Sequence, residues 1–156
     1  MKFTHLDSAG QARMVDVTDK QPTKRAATAS ATVVCDPEIL KRIASGEMPK
    51  GDVLAVARIA GIAAAKRTPE LLPLAHVIGV HGAAVDLTLG PESIEVVATV
   101  RTADRTGVEM EALTAASVAA LALIDMVKGL DRHAHIREVK LLAKEGGRSG
   151  SWRRDA

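Results

Sequence analysis

From Thr106 to Lys128 the chain reads Thr-Gly-Val-Glu-Met-Glu-Ala-Leu-Thr-Ala-Ala-Ser-Val-Ala-Ala-Leu-Ala-Leu-Ile-Asp-Met-Val-Lys, with its only charges, Glu109, Glu111, Asp125 and Lys128, at its two ends. A helix on a protein surface normally spreads its charges along one wet face. The absence of charge from the middle of this one predicts a buried core helix. The rest of the chain suits that reading, because 47% of the residues are hydrophobic while Phe3 and Trp152 are the only aromatics and there is no Tyr. A core of Ala, Val, Leu and Ile lets helices approach closely but supplies little bulk, which favours subunit association in a chain of 156 residues.

Asp125 and Lys128 are three residues apart and share a helical face, so they can pair. A half-buried pair of this kind has its pKa values tuned by desolvation and by the partner, which suits proton transfer. A structural ion pair near a helix end, with the cation favoured by the C-terminal dipole before Gly129, explains the same residues equally well. Thr106 and Glu109 have capping-box spacing, which would assign Glu109 to satisfying free amides. Glu111 has no such explanation. It lies fourteen residues from Asp125 on nearly the same side of the helix, about 21 Å along its axis. If both groups serve one small ligand, neighbouring subunits must bring opposite helix ends together.

Net charge is +2 and the pI is near 8.9. The basic excess is local, at Lys24-Arg25, Lys66-Arg67, Arg148, Arg153 and Arg154, and fits a small anionic ligand. Single-stranded nucleic acid is a poor fit because base stacking needs aromatic platforms. A sheet that binds RNA would need aromatics where this chain offers Val, Ala, Ile and Thr. Cys35 is the only cysteine, which excludes an internal disulfide, and no signal-like segment opens the chain, so a cytoplasmic protein is expected. The run from Val53 to Ala65 contains Arg58 and is too short to span a membrane, which makes it a core helix.

Residues 1–22 are turn-rich and read as an irregular or flexible N-terminal segment. Residues 23–144 carry one α+β domain, and residues 145–156 a Gly/Arg-rich tail. Within the domain, the stretch from Thr23 to Val34, whose small and β-branched residues alternate loosely from Thr28 to Val34, reads as a strand. Asp36-Pro37 opens a helix that Gly46 closes, and Asp52 caps a helix that runs through Ala65 and stops at Thr68-Pro69. Val85–Leu89 and Ile94–Val100 flank a turn as a hairpin. The long helix follows, and then Ile136 to Lys144 alternates like a strand. This order gives a ferredoxin-like fold, a four-stranded antiparallel sheet with helices on one face plus one extra helix. The open sheet face needs covering, a second argument for an oligomer.

His76 follows Leu72-Pro73-Leu74-Ala75 at a helix-to-strand junction, where loops place functional groups, although a single histidine there is more often structural. His133-Ala134-His135 lacks an acidic or cysteine companion, so no metal site is expected. Lys144-Glu145-Gly146-Gly147-Arg148-Ser149-Gly150 offers glycines for unusual backbone angles with a lysine and an arginine among them, suitable for phosphates. Neither the P-loop nor the dinucleotide glycine pattern is present.

Six blocks, Met14–Val17, Lys50–Val53, Ala57–Ile62, Ala65–Thr68, Thr106–Thr114 and Gly146–Gly150, together closely resemble the MoaC family, in the family's order and over nearly the whole chain. The family's members are cyclic pyranopterin monophosphate synthases of molybdenum-cofactor biosynthesis. The resemblance implies a ferredoxin-like enzyme that rearranges 3′,8-cyclo-7,8-dihydroguanosine 5′-triphosphate, the product of a radical-SAM partner, and releases diphosphate. It implies a hexamer, a trimer of dimers with active sites at the dimer interface. No cofactor is implied, and a magnesium ion on the triphosphate is left open. Asp125 resembles the family's catalytic aspartate, with Lys128 one turn on. Lys50, His76, Glu109, Glu111 and Lys144 match pocket positions, and Arg25, Lys66 and Arg148 are further candidates for phosphate contacts. Leu74, Ala75 and His76 with Met110 and Glu111 resemble the substrate-binding signature. The chain departs from the pattern at Ala75 and Val77, where the family usually has Cys and Pro, and at Ile124, usually aromatic. The competing expectation is a non-catalytic or weakly active module that binds a nucleotide or pterin, which would have no need of Asp125 and Lys128 together.

Overall fold

The computed structural model describes residues 4–155. Its elements run β1 (Thr23–Val34), α1 (Pro37–Ser45), α2 (Val53–Ala65), α3 (Thr68–Leu71), β2 (Gly82–Leu89), β3 (Ser93–Asp104), α4 (Glu109–Val127), β4 (His135–Glu145) and β5 (Trp152–Arg153). The strands form one antiparallel sheet in the order β2-β3-β1-β4-β5. The first four positions of that order are the ferredoxin-like arrangement, so the fold is α+β as the element order implies.

Alternation along the strands creates the covered face. Ala27, Ala29, Ala31 and Val33 of β1 and Ile94, Val96, Ala98 and Val100 of β3 are buried, and Ala112, Ala115, Ala116, Ala119, Ala120 and Leu123 of α4 are buried with them in one core. Small side chains on both partners let α4 lie close against the sheet. By length and composition α4 could cross a membrane, but here its alanine stripe belongs to that core. Beside it, α2 packs on α4 and β2. The opposite sheet face is polar, with Thr28 and Thr99 hydrogen-bonded at 3.1 Å and the Thr32 hydroxyl donating to Glu95 at 2.6 Å.

The start of each early helix agrees with the sequence. The Asp36 carboxylate accepts from Glu38 N, Gly46 closes α1 in the left-handed conformation, and the Asp52 carboxylate accepts from Ala55 N. Four features differ from expectation. Thr68-Pro69 opens a further short helix instead of only ending one, because proline at the first helical positions needs no amide donor. The capping box is absent, since α4 starts with Val108 as its N-cap and no side chain caps it. β2 and β3 extend past the hairpin's β-branched core because pairing carries Gly82, Ala83 and Ala84 along with Thr99, Val100 and Arg101. A fifth strand appears inside the expected tail, where Gly146 and Gly147 at φ 86° and 77° return the chain so that Trp152 pairs with Lys144.

Candidate active site

The residues singled out by sequence fall into three groups. The first surrounds a cavity of about 420 Å³ at the N-terminal end of α4, whose walls include Leu74, Ala75, His76, Glu109, Met110 and Glu111. A turn closed by Ala75 N–H to Leu72 O at 3.0 Å presents His76. The Glu111 side chain projects inward from the first turn of α4, and the residue is only 3% exposed. Burial pushes its carboxyl above the ordinary 4.5, the negative charge of Glu109 raises it further, and its own backbone amide and His76 partly oppose the rise.

The N-terminal segment closes this cavity, which sequence patterning missed. Thr4, His5, Val15, Val17 and Lys20 all line it, and His76 Nε2 lies 2.6 Å from Val15 O. A carbonyl oxygen only accepts, so Nε2 carries a proton and donates it to the strap. The segment is pinned by Arg105 Nε donating to Lys20 O at 2.9 Å and by an isolated bridge between Leu6 and Ala12. Neither helical nor strand periodicity marks residues 4–22. The only signal was the Met14–Val17 block.

The second group sits at the other end of α4. Lys128 Nζ lies 2.6 Å from Asp125 Oδ1, and Lys50 Nζ donates to Asp125 O at 2.7 Å. The hydrogen bond from Lys128, its charge and that of Lys50 lower the Asp125 pKa. The expectation of a half-buried pair is not met within one chain, since the side chains of Lys128 and Asp125 are 61% and 62% exposed. They lie on the side of α4 turned away from the core, while Met126 and Val127 beside them are buried.

The third group lies where β4 ends. Lys144 Nζ donates to Ser149 Oγ, and a groove of about 620 Å³ runs between Lys20, Arg25, Arg148 and Ser149. Lys20 lines this groove and the Glu111 cavity alike, so the two adjoin. Arg25 lines this groove and is held in place by backbone carbonyls. Its Nε donates to Asp104 O at 3.1 Å and its Nη2 to Arg105 O at 3.3 Å, and a side chain at Gly147 would press against its guanidinium. It braces the glycine turn. Lys66, the C-cap of α2, lines neither cavity. His135 Nδ1 contacts His133 O at 2.9 Å, and among the described residues no group of three or more His, Cys, Asp or Glu converges as a metal site.

The N-terminal end of α4 thus holds a buried carboxyl and a histidine bonded to the strap beside a cationic groove, and its far end holds an aspartate beside two lysines. The MoaC family model matches residues 14–147, from the strap over His76 to the glycine turn. The chain belongs to the MoaC family. Similar relatives agree over nearly their whole lengths. A Geobacter metallireducens protein is 57% identical over 157 aligned positions, covering 99% of this chain and 98% of its own. One from Chloroflexus aurantiacus is 56% identical, covering 98% and 95%, and one from Streptomyces avermitilis is 54% identical, covering 98% and 90%. Each is named cyclic pyranopterin monophosphate synthase. The MoaC match takes in all three groups, because Lys50, His76, Glu111, Asp125, Lys128 and Lys144 all lie within it.

Proposed function

We propose that this protein is a cyclic pyranopterin monophosphate synthase that converts 3′,8-cyclo-7,8-dihydroguanosine 5′-triphosphate to cyclic pyranopterin monophosphate and diphosphate. It works in the cytoplasm on substrate supplied by a radical-SAM enzyme. The working form is a homohexamer, a trimer of dimers, with each active site at a dimer interface. The observation that carries this reading is the separation of the two acid–base groups: on one chain Glu111 and Asp125 lie about 21 Å apart along a rigid helix, too far for one small substrate. A second copy that brings its Asp125, Lys128 and Lys50 to the cavity beside Glu111 and His76 completes a site that one chain leaves divided. The outward apolar side chains support association, with Ile59 67%, Leu121 57% and Val56 42% exposed.

In the completed site the cationic groove holds the triphosphate through Lys144, Lys20, Arg148 and the amides of the glycine turn. A substrate hydroxyl attacks the α-phosphorus, the bond to the β-phosphate oxygen breaks, and diphosphate leaves. Lysine cations offset the charge that develops on the leaving group. Asp125 and Lys128 move protons while the purine-derived ring opens and recloses, with Lys50 fixing the end of their helix. Glu111 and His76 face the heterocycle from the cavity wall, where burial raises the pKa of the Glu111 carboxyl. The protein supplies this chemistry from its own side chains without a resident cofactor, and any magnesium ion enters with the triphosphate.

Subunit complementation tests both the chemistry and the division of the site. Homo-oligomers of Asp125→Asn and of Glu111→Gln should each lose diphosphate release. After dissociation and random reassociation of an equal mixture, about a quarter of the sites regain both native groups, and activity should return to roughly that fraction. Failure to regain activity in verified mixed oligomers, or a fully active monomer, would refute the shared site.

A further inference from the structure

We propose that Gly107 is a positioning residue whose missing side chain forms the seat of the Glu109 carboxylate at the mouth of the Glu111 cavity. A Cβ built on Gly107 would lie 2.7 Å from Glu109 Cδ and 2.8 Å from Oε1, inside any permitted contact, so the carboxylate occupies the space that a side chain would fill. The backbone does not call for glycine here. Gly10, Gly46, Gly51, Gly146, Gly147 and Gly150 have positive φ, and Gly107 does not. Helix packing does not call for it either, because the atoms nearest its absent Cβ all belong to Glu109.

Glu109 is the first residue of α4, and its carboxylate makes no capping hydrogen bond. Its placement therefore rests on the vacant space at Gly107 and on the attraction of a carboxylate to a helix N-terminus. From that seat its negative charge reaches Glu111, and His5, Lys20 and His76 are the other titratable groups on the cavity wall. The inference rests on the proposed synthase reading only in giving Glu109 a place in the substrate site. Gly107 acts through Glu109 whatever the substrate.

A methyl group at position 107 meets the free end of a flexible side chain, which can swing away at little cost to the fold. Gly107→Ala should leave the thermal midpoint nearly unchanged while displacing Glu109. Two measurements test this on the intact protein. Titration of glutamate-labelled protein by carboxyl ¹³C NMR should show the Glu111 transition moved down in Gly107→Ala, as in Glu109→Gln. A Glu111 transition left in place by Gly107→Ala would overturn the proposal. Turnover of the cyclic triphosphate should fall on the order of 100-fold in Gly107→Ala. The double variant Gly107→Ala/Glu109→Asp should be no worse than Glu109→Asp alone, because the shorter side chain no longer needs the seat. Multiplying losses would overturn the proposal. Full turnover by Glu109→Gln would remove Glu109 from the synthase reading, while the titration would still decide whether Gly107 seats it.

Discussion

The close approach of α2 to α4 can be perturbed at one atom. A Cβ at Gly61 would lie 2.9 Å from Ala115 O, 3.0 Å from Val85 Cγ2 and 3.1 Å from Ala119 Cβ. These contacts come from α4 and β2, and the closest is backbone, which no rotamer change can relieve. Overpacking by one methyl in such a site costs about 1–3 kcal/mol, and the gain in helix propensity on replacing glycine returns about 1 kcal/mol. Gly61→Ala should therefore destabilise by up to about 2 kcal/mol, or lower the thermal midpoint by up to about 8 °C for a chain of this size. The assay is calorimetry at fixed protein concentration, since assembly shifts the midpoint by mass action. Val85→Ala removes one of the three collisions, so Gly61→Ala/Val85→Ala should lose less than the sum of the two single changes. A raised midpoint in Gly61→Ala, or strict additivity in the pair, would show that α2 and α4 are not packed through this glycine.

Glu111→Gln tests the buried carboxyl through pH. Its folded pKa is raised, so the native state holds a proton that the unfolded chain has released, and its stabilisation is complete below the ordinary 4.5 and lost as pH rises through the folded value. Denaturant unfolding should show the wild type losing stability relative to Glu111→Gln as pH climbs above 4.5, then running parallel to it once both native and unfolded carboxyls are ionised. An opposite slope would mean that Glu111 is held as an anion. Gly147→Ala strains a residue at φ 77° and presses on Arg25, with the guanidinium carbon only 3.1 Å from the new Cβ. It should raise KM for the triphosphate several-fold with a smaller effect on kcat, measured by initial rates of diphosphate release.

Much of the fold follows from local chemistry that the sequence displays. Asp36, Gly46 and Asp52 terminate helices by hydrogen bonds and backbone angles within a few residues, and the alternation in β1 and β3 reflects one covered face. β5 was illegible because two exposed residues, Trp152 and Arg153, carry no alternation. Their pairing depends on a turn that two glycines make and Arg25 braces. The strap over His76 was illegible for a related reason. Its anchor is a main-chain carbonyl, Val15 O, which any residue would supply, and its lining side chains have no common period.

The residues that carry charge were easier to find than their surroundings. Glu111 stood out because nothing local explained an acid inside a small-residue helix, and the structure buries it. Asp125 and Lys128 stood out for the same reason, yet they emerge exposed. Both outcomes follow from the composition of α4. A stripe of Ala112, Ala115, Ala116, Ala119, Ala120 and Leu123 brings the helix flush with the sheet along its middle, so a long side chain in the first turn is enclosed by the loops and strap gathered there. At the last turn Met126 and Val127 stay in the core, and Asp125 and Lys128 face outward beside Lys50. On the proposed synthase reading, α4 holds its two acidic ends about 21 Å apart, and a neighbouring copy brings the second end to the first.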